Sequence, residues 1–208
     1  LDTKLPEDME PKRTAVRTSP SLALSWRPSN QLLMFVHYQE AARAGGLAVG
    51  PTSSPQAVQR FESDTLNMVE SGFRFGRPGR DRLAASATLS YARWSDIQAD
   101  LVDEAGLPFT VNIGNGRIIG LDTSMSWMPF PTLQFELSAF FNRSNLKDPA
   151  PAFAAADERE LPNVAASGGR AGVTYRSALS PNTSLVLGGS LRYIGRSQLG
   201  IGSPIDVS

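Results

Sequence analysis

Cysteine is absent from the 208 residues and histidine occurs once, as His37. The first absence excludes disulfides and thiolate metal sites, and the second excludes a multi-histidine metal site. Charge of one sign is also lacking. Twenty Lys and Arg balance twenty Asp and Glu, so no bulk field draws the chain to nucleic acid. Long apolar runs are missing too. The longest strongly apolar one is Leu32–Val36, far short of the roughly 18–20 residues of a transmembrane helix, which excludes a helical membrane protein. The opening "LDTKLPEDMEPKRT" is charged and proline-bearing, unlike a signal peptide. It reads as a chain that stays inside, or as a mature or internal piece.

What the sequence does have is alternation. In residues 117–129, Ile119, Leu121, Thr123, Met125 and Trp127 share one parity, against Ile118, Gly120, Asp122, Ser124 and Ser126. Period two predicts a strand with one oily and one small or polar face. The same pattern recurs at 21–27, about 83–94, 133–142, 170–176 and 184–196, and less cleanly at about 31–43 and 64–76. Eight strands and no convincing helix result. Several are long, where soluble strands usually run about 5–6 residues.

The connections alternate in length. Short turns at 28–30, 76–79, 129–131 and 179–182 carry Pro, Gly, Asn or Ser, spaced by roughly 50 residues. Between them lie longer polar connections at about 44–63, 100–114 and 146–164; the last has no strand pattern and reads as a mobile loop. Long strands joined alternately by short turns and long loops are the grammar of an antiparallel transmembrane β-barrel, which satisfies every backbone group inside lipid. The oily parity then faces lipid and the polar parity the lumen. Trp26, Phe73, Phe75, Trp127 and Tyr175 lie near short turns; Tyr38, Tyr91, Trp94, Phe141 and Tyr193 lie toward the long loops. They are expected to form the two aromatic belts of a membrane wall. A soluble β-sandwich also alternates, and stands as the rival fold.

Six stretches in order carry a family resemblance: "LLMFVHYQEAARAGGL" (32–47), "FESDTLNMVESGFRF" (61–75), "LSYARWSDIQADLV" (89–102), "NIGNGRIIGLDTSMSWMP" (112–129), "ELPNVAASGGRAGVTY" (160–175) and "LRYIGRSQL" (191–199). Together they resemble strands and strand ends of TonB-dependent receptors, the plugged outer-membrane transporters. Asp122 stands where that family usually has Glu, and Tyr38-Gln39-Glu40-Ala41 replaces its usual Tyr-Ser-x-Gly. The resemblance implies that residues 1–208 are part of one receptor barrel domain, about eight strands of a barrel of about 22. The plug domain, the TonB box and the closing C-terminal strands are expected to lie outside the chain.

No catalytic constellation and no phosphate loop appear, so no enzyme, cofactor or metal is expected. Glu70, Asp122 and Glu136 suit acid–base work but read more plainly as lumen charges. Arg74, Arg117, Arg170, Arg176 and Arg192 suit an anionic ligand, or salt bridges within the wall or to a plug. The resemblance implies active uptake, across the outer membrane of a Gram-negative bacterium, of a scarce nutrient such as a ferric siderophore. An inner-membrane TonB-type complex would act through the plug. Glu40, Arg43, Asp103, Glu104, Asn142, Arg143 and Arg196 are the expected substrate contacts in the loops and upper lumen. A passive porin-like channel and a soluble β-rich binding domain are the alternative functions.

Overall fold

The computed structural model describes residues 18–49, 58–102, 106–150, 160–161 and 164–197. Among these there is no helix. Eight strands form one antiparallel sheet: β1 (Ser21–Trp26), β2 (Leu32–Arg43), β5 (Asp64–Phe75), β6 (Leu83–Ser95), β9 (Gly114–Phe130), β10 (Leu133–Pro149), β11 (Ser167–Ser180) and β12 (Thr183–Ile194), each beside the next in that order. All eight correspond to strands expected from the alternation. β9 and β10 run 17 residues each, since the pairing continues past the oily stretch into the segment expected to be loop. The sheet is open. β1 and β12 each have an unpaired edge among the described residues.

The remaining strands build two ribbons inside connections expected to be irregular. β3 (Gly46–Val49) pairs with β4 (Val58–Phe61), and β7 (Gln98–Val102) with β8 (Pro108–Asn112). These ribbons sit at one end of the sheet, and the short turns sit at the other. In the β1–β2 turn the Ser29 Oγ accepts from the Gln31 and Leu32 amides. In the β5–β6 turn the Arg77 amide donates to the Asp81 carboxylate at 2.7 Å. Hydrogen bonds from Arg77 hold the Asp81 carboxyl below its ordinary range. Gly76 begins that turn at φ 64°, and a Cβ there would lie 2.3 Å from the Leu83 carbonyl oxygen, so the position needs glycine.

Register keeps the two faces apart across every strand. One row runs Leu24, Val36, Ser71, Leu89, Leu121, Phe141, residue opposite residue. The neighbouring row on the other face runs Ala23, His37, Glu70, Ser90, Gly120, Asn142. A slip of one residue in any pair would mix them. The oily face is bare: Leu24 is 73% exposed, Leu137 51% and Leu187 57%. No second sheet covers it among the described residues, which removes the sandwich as the fold. An apolar area of this extent does not face water on a soluble monomer; it fits contact with hydrocarbon.

The aromatics follow the same geometry, with one correction. Trp26, Phe73, Trp127 and Tyr175 lie on the oily face near the short turns, and Trp127 stacks on Phe135 with ring centroids 5.7 Å apart. Tyr38, Tyr91, Phe141 and Tyr193 have the same parity toward the ribbons. Trp94 does not. It is an even residue on a strand whose oily set is odd, so its indole turns to the inner face and donates to Asp64 at 2.9 Å.

Candidate functional site

The inner face carries a network of polar side chains linked from strand to strand. Small residues line it and leave room for the larger ones. A Cβ on Gly168 would come within 2.4 Å of the Phe140 ring directly opposite. Short polar links run between strands: Ser86 Oγ to Ser124 Oγ at 2.8 Å, Arg176 donating to the Gln134 side-chain oxygen at 3.0 Å, and Gln134 donating on to Ser126 and Glu136. His37 lies between Ser21 Oγ, 2.9 Å from Nε2, and a Glu70 oxygen, 3.3 Å from Nδ1. That row ties edge strand β1 into the sheet. No group of three or more His, Asp or Glu able to hold a metal occurs among the described residues. Arg170 and Arg192 face each other across β11 and β12, beside a dent floored by Gly172, Gly188 and Ser190 and flanked by Glu136. Two cations and a glycine floor can accept an anionic group there.

At the ribbon end the inner wall is capped by a small apolar cluster. Ile97, Ile113, Leu146 and Leu161 are buried together, with Trp94 and Ile118 packed against them. Beneath it lies the most densely bonded carboxylate among the described residues. Asp64 is 2% exposed. Its oxygens accept from the Arg43 amide at 3.1 Å, the Arg43 guanidinium, the Trp94 indole and the Gln98 amide. The Arg43 guanidinium also lies over the Trp94 ring, 5.3 Å from its centroid.

The two ribbons are fastened to each other by side-chain amides. Asn112 accepts from the Glu62 amide at 2.6 Å and donates to the Glu62 and Asp96 carbonyls. Gln98 donates to the Ala44 and Glu62 carbonyls. Asp96 takes the left-handed conformation, φ 52°, where the chain leaves β6, and Asn115 accepts from its amide. The bolt has a measurable consequence. Asn112→Ala should lower the opening free energy of β3–β4 by about 1 kcal/mol, because its short bond with the exposed Glu62 amide is lost. Amide hydrogen exchange of the full-length protein reads this, and an unchanged Glu62 amide would show that Asn112 fastens nothing.

The seven expected contacts divide by parity. Arg43 and Asn142 face inward, and Arg196 follows β12 at the same end. Arg43 is engaged by Asp64, and Asn142 donates to the Ala165 carbonyl. Glu40, opposite Asn67, and Arg143, opposite Ile119, lie on the outward parity, so period two turns both away from the lumen. Arg117 turns outward for the same reason, opposite Arg93. Asp103 and Glu104 lie outside the described residues. The structure does not gather the seven into one cluster. Asp64, Gln98 and Asn112 were not singled out from sequence, since the partners of their side chains stand 16 to 54 positions away; the short polar motifs around them were the only available sign.

Against this geometry, a family model described as "TonB dependent receptor-like, beta-barrel" matches residues 5–204. No curated protein matches the sequence. Among solved structures, the chain is similar to the ferric yersiniabactin uptake receptor FyuA from Yersinia pestis, with TM-score 0.65 and 15% identity, over 84% of this chain and 25% of that one. It is similar to BauA, the ferric preacinetobactin receptor from Acinetobacter baumannii, with TM-score 0.59 and 15% identity, over 85% and 25%. It is also similar to the copper transporter OprC, with TM-score 0.59 and 17% identity, over 77% and 24%. The chain spans about a quarter of the length of each. At these identities the likeness is one of fold.

Proposed function

Because the chain belongs to the TonB-dependent receptor β-barrel family, we propose that it forms part of the wall of a transporter in the outer membrane of a Gram-negative bacterium, taking up a scarce nutrient such as a ferric siderophore. The observation that carries this reading is the register that sets one bare oily face against one polar face across eight strands. The polar wall would line the passage. A plug domain outside this chain would close it, and a TonB-type inner-membrane complex would supply the energy. The solved structures it resembles are named as receptors for ferric siderophores and as a copper transporter, which favours a metal or metal-chelate cargo. Inward-facing Asn142, Arg196 just past the end of β12, the segment bearing Asp103 and Glu104, and the Arg170–Arg192 pair are the contacts we assign to it. Arg43 positions the loop ribbons through Asp64 and touches cargo only with its outer edge.

The test is whole-cell accumulation of a panel of radiolabelled metal chelates by cells carrying the full-length gene. Accumulation of one chelate should saturate and fall to background when the inner-membrane motor is deleted. A flux that survives the deletion and rises linearly with concentration would identify a passive channel. Recovery of the protein in the supernatant instead of the membrane fraction would identify a soluble binding protein.

A further inference from the structure

We propose that Arg74, Ser86, Ser124, Ser138, Arg170 and Arg192 form a track across the inner wall that passes a carboxylate-bearing cargo from the ribbon end to the turn end. This rests on the uptake function proposed above, and deepens it by naming the path and the charge class of what travels. Each of the six residues stands directly opposite the next. Arg74 faces Ser86, Ser86 faces Ser124, Ser124 faces Ser138, Ser138 faces Arg170, and Arg170 faces Arg192. The row crosses six adjacent strands, a span of about 24 Å at the usual strand spacing. It also climbs. Arg74 is the penultimate residue of β5, at a short turn, whereas Arg192 stands near the end of β12, at the ribbon end. The stagger of strands in a barrel wall has this effect on a register row. The surface along the row is hollow. A groove of about 400 Å³ runs from Arg74 over the three serines to Arg170, and the dent beside Arg170, of about 270 Å³, continues it onto β12.

The cations of the row are exposed and hold no carboxylate. The ion pairs among the described residues are His37–Glu70, Arg43–Asp64, Arg60–Glu62 and Arg77–Asp81, and none of them includes Arg74, Arg170 or Arg192. Like charges directly opposite each other are unfavourable in a sheet, so Arg170 and Arg192 gain from an anion between them. Guanidinium forks suit carboxylate oxygens. The serines carry the middle of the row. In the Ser86–Ser124 bond, 2.8 Å long, one hydroxyl donates to the other, which leaves the second hydroxyl hydrogen for a ligand. Neighbouring strands stand about 4.8 Å apart, so a carboxylate reaches the next donor before it leaves the last. Neutral hydroxyls hold it more weakly than cations do, and the cargo is passed on instead of trapped. Two acids border the row. Asp122, facing Thr88 and Phe140, stands one row toward the ribbons, and Glu136, facing Ser126 and Gly172, one row toward the turns. They confine the positive band to a single row. They also repel a phosphate dianion more than a singly charged carboxylate, which sets the class of the cargo.

The 208 residues hold no cysteine, so one introduced thiol can report on the groove. The experiment takes the full-length receptor with Ser124→Cys in outer-membrane vesicles. It compares modification by negatively charged sulfonatoethyl methanethiosulfonate with that by the positively charged trimethylammonioethyl reagent. Each rate is corrected for protein without the substitution and divided by the rate for a free thiol. The anionic reagent should be favoured by at least about tenfold, the low end for a charged cleft. R74Q/R170Q/R192Q should abolish that bias, and R74K/R170K/R192K should keep most of it. Citrate should slow the modification, and its uncharged trimethyl ester should not. Equal corrected rates, or a bias that survives the triple Gln variant, overturn the track. Protection by inorganic phosphate as strong as that by citrate overturns the carboxylate assignment. A thiol that neither reagent reaches until the protein is denatured means that another part of the receptor covers the groove as a static contact, and this also overturns the track. The uptake function is tested apart from it. Flux that survives deletion of the motor overturns uptake whatever the thiol shows, whereas motor-dependent flux without the bias overturns the track alone.

Discussion

Replacing Leu137 by Arg should lower the unfolding free energy of the full-length barrel in lipid by about 2–4 kcal/mol, the cost of a cation near the bilayer midplane on an outward face. Leu137 lies midway along the outward run of β10, between Phe135 and Phe141. It faces Met125 on one side and Ala171 on the other, and all of these are apolar, so the new guanidinium would find no partner. Thr88→Arg is the control on the opposite wall. Thr88 faces Asp122 on one side, whose carboxylate offers a partner, and the inner wall offers water, so the same side chain should be tolerated with little loss. Ser138 is a poorer control, because an Arg there would stand opposite Arg170. Urea unfolding in lipid, followed by heat-modifiable mobility, gives both numbers. Equal losses at positions 137 and 88 would mean that the two faces do not see different solvents.

Alternation made the eight wall strands legible, and the reason is visible in the two that alternated poorly. β2 and β5 carry Leu33, Phe35 and Met68 on the inner parity, and Glu40, Asn67 and Ser71 on the outer one. Their neighbours accommodate these exceptions. Phe35 lies against Gly72, with the Arg74 guanidinium 5.6 Å from its ring centroid, and Tyr38 donates to Asn67 at 2.9 Å. A face is thus set by the majority of its rows, and two strands can break the pattern when cross-strand partners absorb it. The parity of Trp94, Glu40 and Arg143 was equally readable. Their placement from sequence followed their distance from the loops, which says how high a residue sits and nothing about the side it faces. The ribbons were harder to read. β3, β4, β7 and β8 are four or five residues each, too short for periodicity to separate from loop, and they are held by amides on other connections.

Removal of the Asp64 carboxylate tests that part of the structure. Asp64→Ala should destabilise the ribbon end by about 2–3 kcal/mol, since it leaves a part-buried indole N–H, the Gln98 amide and the Arg43 amide without this acceptor. Arg43 is half exposed, so water takes over part of its charge, and the loss stays below that of a fully buried ion pair broken in half. Asp64→Asn should fall between the two. It keeps the volume and one acceptor, but turns an amide N–H₂ toward groups that are themselves donors. The effect is local because the anchoring is local. Asp64 sits at the first residue of β5, past the oily band, and bonds to the end of β2, the end of β6 and the start of β7. Hydrogen exchange should therefore speed up at Gln98 and through β7–β8, while the amides of Leu121–Met125 and Phe135–Ala139 keep their protection. Glu62→Ala makes the comparison sharp. Among the described residues its carboxylate meets only Arg60, both are largely exposed, and such pairs contribute little. Exchange that rises equally across the wall strands in Asp64→Ala would mean that this carboxylate supports the barrel as a whole, and that the loop ribbons are not a separable, side-chain-bolted unit above it.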